Sequence, residues 1–124
     1  MRVATALIPL LLLALAGCGA PDSGTDLVKL TNGHYRIAIN PTNTFDPPHA
    51  HVPVGATVEW LDNGGQHDVT EDSTPPLWSS SQYGNGTALE FGETYLHTFN
   101  EAGTWHYRCT IHGGMGMVGA ITVG

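Results

Sequence analysis

From Tyr35 onward the chain is written in short alternations of polar and apolar residues, broken by turn signals about every 8 to 12 residues. Tyr35-Arg36-Ile37-Ala38-Ile39 alternates after an Asn32-Gly33 turn. Ala50, Val52 and Val54 alternate before Gly55 leads into Thr57-Val58-Glu59-Trp60. Asp62-Asn63-Gly64-Gly65 reads as a further turn, with a short strand over His67 to Thr70 after it. Leu89 to Phe91, Tyr95 to Phe99, Thr104 to Cys109 and Val118 to Val123 continue the pattern. A period of two puts successive side chains on opposite faces, so each run is a strand with one face to bury. The stretch Glu71 to Thr87 contains Pro75-Pro76, Ser79-Ser80-Ser81 and Gly84-Asn85-Gly86, and is expected to be irregular with a short helical turn near Trp78. No helical stripe or internal repeat is visible. About eight strands and no long helix make an all-β sandwich, and 16 Gly with 8 Pro suit its turns.

The first residues belong to another process. One Arg, an apolar run too short to span a bilayer comfortably, and small residues form a secretory signal over residues 1–17. Leu15-Ala16-Gly17-Cys18 resembles the lipobox of bacterial lipoproteins, which implies cleavage before Cys18 and lipidation of its thiol. Residues 18–26 read as a tether, in which small polar Ala20 to Asp26 reach roughly 25 Å at most, and residues 27–124 as one domain. The expected location is outside the cytoplasm, anchored to the cell membrane and facing the periplasm or the exterior. With 4 Lys plus Arg against 11 Asp plus Glu, the formal charge of −7 lacks the basic footprint that nucleic acid requires.

The chemistry gathers in Trp105-His106-Tyr107-Arg108-Cys109-Thr110-Ile111-His112 and the residues up to Met117. Alternation puts Trp105, Tyr107 and Cys109 on the core face, so the thiol points inward at the strand's end. The loop beyond adds His112 and Met117, giving C-x2-H-x4-M. A thiolate, an imidazole and a thioether make an incomplete metal site. A trigonal copper site needs a second His and tolerates a long, weak axial Met. His67, after its Gly-rich turn, is the upstream candidate. Thiolate and thioether favour Cu(I) while imidazole accepts Cu(II), so one fold-fixed ligand set serves both states. That suits one-electron transfer and leaves no open position for a substrate.

These motifs resemble the cupredoxins, the small blue copper proteins, and within them the plastocyanin and pseudoazurin group. The resemblance rests on F-x-P-x-x-A-x-V-x-x-G-x-x-V-x-W from Phe45 to Trp60, with His67 seven residues on. It rests equally on Gly103-x-Trp105-x-Tyr107-x-Cys109-x-x-His112 and Met117-x-Gly119-x-Ile121-x-Val123. It implies an eight-stranded Greek-key sandwich with one type 1 copper, held by His67, Cys109, His112 and Met117, and no enzymatic activity. Met115 competes for the axial place; the family's Met is followed by Gly, an aliphatic and Val at alternate positions, which Met117 satisfies. The implied route for electrons is the edge of His112, flanked by Gly113, Gly114 and Met115. Expected partners are redox proteins such as cytochromes or a terminal oxidase, met by a monomer whose acidic surface steers basic faces. A copper carrier or buffer that supplies an oxidase is the alternative from another class.

Three positions depart from the family pattern. Asp68 stands where many members have Asn, so any hydrogen bond to the Cys-side loop must come from a backbone N–H or the Thr110 hydroxyl. Arg108 replaces an exposed Tyr of plant plastocyanins, and Ile111 a common Pro. His49 and His51 point outward on one face and could hold a second metal ion loosely, although most such pairs are simply solvated. His34, His97 and His106 have no companion nucleophile or acid, which argues against a hydrolase.

Overall fold

The computed structural model describes residues 23–81 and 87–124. The expected signal segment and the lipidated Cys18 lie outside the described residues. Nine strands are present among them: β1 Thr25–Asp26, β2 Tyr35–Asn40, β3 Thr44–Asp46, β4 His49–Val52, β5 Ala56–Asp62, β6 Thr70–Glu71, β7 Thr94–Phe99, β8 Gly103–Arg108 and β9 Val118–Val123. They form a five-stranded sheet, ordered β1-β4-β9-β8-β6, and a four-stranded sheet, ordered β3-β2-β5-β7. The chain is therefore an all-β two-layer sandwich.

β1 and β3 both lie outside the runs read from the sequence, and β1 falls within the residues expected to form a tether. Thr25 and Asp26 pair in parallel with Ala50 and His51, and the Leu27 N–H donates to the His51 carbonyl at 3.1 Å. The Asp26 carboxylate meets His51 Nδ1 at 2.6 Å. A sheet edge left bare presents unpaired backbone groups, and β1 covers that of β4. Neither β1 residue is apolar, which is why hydrophobic alternation does not reveal it.

The segment after β6 forms no helix near Trp78 among its described residues. The Glu71 carboxylate accepts from the Ser73 and Leu77 N–H groups at 3.0 and 2.9 Å and from the Ser73 hydroxyl at 2.7 Å. Such side-chain acceptors offer the backbone an alternative to a helix. His67 and Leu89 contribute one isolated bridge rather than strands. The segment tucks Trp78 into the core, 5.6 Å from Trp60 between ring centroids. Trp60 also lies 5.5 Å from Tyr107 in an edge-to-face arrangement, so the ring cluster ends two residues short of Cys109.

Candidate metal centre

Cys109 follows β8 directly and is fully buried, as alternation from Tyr107 requires. Its N–H donates to the Met117 carbonyl at 3.1 Å, which closes the loop between them. Within the loop a 3-10 turn, Gly113–Met115, hangs from the His112 carbonyl, which accepts from the Met115 and Met117 N–H groups at 2.9 and 3.3 Å. Gly116 ends the turn at φ 85°, a left-handed conformation that glycine adopts without a Cβ penalty. That reversal decides between the methionines: Met115 is 74% exposed and Met117 is 1% exposed. Gly116, placed between the two methionines, is the sequence signal for this reversal.

The ligand atoms of His67, Cys109 and His112 all lie within 4.8 Å of one another. Cys109 Sγ and His112 Nδ1 are 3.7 Å apart, and the two imidazole centroids are 5.0 Å apart. His67 Nε2 lies 2.9 Å from the Gly64 carbonyl. A carbonyl only accepts, so Nε2 carries the proton and Nδ1 keeps a bare lone pair. That Nδ1 is buried and has no hydrogen-bond partner among the described residues. An orphaned imidazole nitrogen facing a thiol and a second imidazole fits a metal ion, and this S and N donor set suits copper. The fit is tight: a Cβ on Gly65, itself at φ +90°, would stand 2.6 Å from His67 Nε2.

Asp68 joins the two halves of the site. Its Oδ1 accepts from the Thr110 N–H at 2.5 Å, and its Oδ2 accepts from the Thr110 hydroxyl. Both donors foreseen from the sequence are therefore used together. An Asn side chain can keep both contacts, accepting from the N–H and donating to the hydroxyl oxygen, while removing a carboxylate beside the site. Asp68→Asn is expected to raise the midpoint potential of the copper-loaded protein, measured by voltammetry. An unchanged potential refutes this electrostatic role.

Four of the other five histidines are occupied elsewhere. His49 Nε2 lies 2.8 Å from Thr122 Oγ1. His51 bridges Asp26 and the Gly124 carbonyl, and its hydrogen bond to Asp26 raises its pKa. These contacts leave little for a second ion between them. His34 pairs with Glu59 at 3.2 Å. His97 stacks on Trp78 at 4.9 Å, and burial lowers its pKa.

A two-sheet sandwich that brings one buried thiol and two imidazoles together at the end of its strands, with a buried Met closing the loop, defines the cupredoxin class of small copper proteins. The chain belongs to the copper-binding proteins of the plastocyanin/azurin family, whose profile matches residues 34–124. It is 35% identical to halocyanin from Natronomonas pharaonis over 104 residues, which are 82% of this chain and 59% of that protein. It is 36% identical to plastocyanin from Scenedesmus fuscus over 83 residues, covering 64% of this chain and 85% of the relative. Among solved structures, a reduced Cu(I) form of an amicyanin mutant superimposes with a TM-score of 0.62 at 28% identity, over 77% of this chain and 87% of that one. A purple cupredoxin from Nitrosopumilus maritimus gives 0.59 at 27% identity, over 72% and 98%. The family consists of small type 1 copper electron carriers, not enzymes.

Proposed function

We propose that this chain carries single electrons between membrane-associated redox proteins outside the cytoplasm. His67, Cys109 and His112 would supply the close donors and Met117 the weak fourth one. The observation that carries the assignment is the buried, unpartnered Nδ1 of His67 facing Cys109 and His112. Bound copper supplies a one-electron Cu(II)/Cu(I) couple. The protein's part is to hold the donors still: Asp68, next to His67, is tied to Thr110, next to Cys109, and Gly116 turns Met117 inward. A fixed donor set reduces the rearrangement that accompanies each electron.

His112 is only partly buried, and Ile111 and Met115 beside it are 51% and 74% exposed. An apolar surface around a half-exposed ligand supports docking of a partner at that edge. Cytochromes or a terminal oxidase with basic faces fit the acidic charge, in small, short-lived contacts. Lipidation at Cys18 would keep the carrier at the membrane, and the halocyanin likeness supports an extracytoplasmic place.

Titration with Cu(II) tests this reading. One equivalent is expected to turn the protein intensely blue and to cycle reversibly between redox states. Met115→Ala should leave the spectrum unchanged, whereas Met117→Ala should alter both spectrum and potential. A colourless protein that surrenders Cu(I) to a copper-free acceptor would instead support the copper-carrier alternative.

A further inference from the structure

We propose that Asp62 is a positioning residue for His67: its carboxylate fixes the turn whose carbonyl decides which imidazole nitrogen is left bare for the metal. The inference rests on His67 being a metal ligand. Alternation along β5 puts Val58, Trp60 and Asp62 on one face, and all three are fully buried. An acid therefore stands where the strand's pattern calls for an apolar side chain. Its Oδ1 accepts from the Gly64 N–H at 2.7 Å, and the Gly64 carbonyl in turn accepts from His67 Nε2 at 2.9 Å. Gly64 and Gly65 have φ of +140° and +90°. Two adjacent glycines lose much conformational freedom on folding, so a turn built from them needs an outside restraint. Asp62 provides it.

Asp62 is also bonded through its backbone to Gly92 and Glu93, a few residues beyond Leu89. The Gly92 N–H donates to the Asp62 carbonyl at 2.8 Å, and the Asp62 N–H donates to the Glu93 carbonyl at 2.9 Å. His67 and Leu89 exchange both backbone bonds, at 3.3 and 2.7 Å. His67 is thus held through its backbone by Leu89 and through its ring by the Gly64 carbonyl, and the second restraint leads back to Asp62. Asp62 Oδ2 is buried and has no hydrogen-bond partner among the described residues. Burying an oxygen in that state opposes folding. A residue kept at that cost is explained by its ordering of the ligand turn, which no apolar side chain could perform.

The test compares Asp62→Leu, which keeps the bulk and removes the acceptor, with Asp62→Asn, which keeps an acceptor oxygen. Nitrogen NMR of the His67 ring, in copper-free and Cu(I)-loaded protein, reads the tautomer. The wild type and Asp62→Asn are expected to show a single Nε2–H form. Asp62→Leu is expected to show a mixture of tautomers and a Cu(I) affinity ~10–100-fold weaker, the usual loss for an outer partner of a metal ligand. A folded Asp62→Leu protein that keeps a single Nε2–H tautomer and wild-type affinity overturns the proposal. Should that variant not fold, the wild type alone decides. Its Gly64 amide should be protected from exchange and coupled through the hydrogen bond to the Asp62 carboxylate carbon; lack of both overturns the role. Failure of the copper reading would appear separately, as a wild type that forms no blue centre while its copper-free tautomer contrast persists.

Discussion

Cys109→Ser is expected to give a folded protein that does not turn blue with Cu(II) and binds Cu(I) more than ~100-fold more weakly. The upper end of what an outer-shell partner contributes is about that factor, and Cys109 would be a direct donor. The thiol is fully buried and stands 3.7 Å from His112 Nδ1, with His67 completing the group. Serine offers a hard oxygen that stays protonated at neutral pH, and Cu(I) prefers soft sulfur donors. The backbone reasons for the fold persist, because the bond from residue 109 N–H to the Met117 carbonyl does not involve the side chain. Folding should therefore lose only about 1–3 kcal/mol, the cost of a buried hydroxyl without a full set of partners. Circular dichroism and copper titration on the same sample separate the two effects. A Cys109→Ser protein with an intense blue band would remove Cys109 from the ligand set.

Much of the centre was legible in the sequence because its donors are local to two segments. Cys109, His112 and Met117 share one loop, and His67 follows a turn that glycines announce. The rest depended on pairings that cross the fold. Asp62 looks like the first residue of an Asp-Asn-Gly-Gly turn, yet it is the last residue of β5 and faces the core. Its acceptor role appears only once Gly64 bends back toward it. Glu71 likewise reads as the start of an irregular stretch, while its carboxylate organises Ser73 and Leu77 into a loop that excludes a helix. β1 has no apolar pattern at all and is held by a neighbouring strand and by His51. Periodicity reports which face is buried, whereas polar side chains acting on distant backbone leave no periodic trace.

Gly119→Ala is the substitution expected to cost most stability for the least added bulk. Gly119 lies opposite Tyr107 in the β8–β9 register, and its missing Cβ leaves room for the phenol. A Cβ there would stand 2.3 Å from Tyr107 Cζ and 2.4 Å from its hydroxyl. The ring has little freedom to yield, because Phe45 packs at 4.8 Å and Trp60 at 5.5 Å between centroids. Forced overpacking in a core costs typically 1–3 kcal/mol, and about 3 kcal/mol is expected here since rigid rings oppose the methyl. For a domain of this size that lowers Tm by roughly 12–24 °C. Removing the hydroxyl alone, in Tyr107→Phe, should not rescue the variant, because Cζ is nearer than the oxygen. Tyr107→Leu should rescue it in part, so the two costs will not add, as is usual for residues in contact. Cys109 follows Tyr107 by two residues, so a displaced ring would also move the thiol. The blue band of a copper-loaded Gly119→Ala protein should therefore shift together with the fall in Tm. A Tm within a few degrees of wild type would show that β9 can retreat from the ring.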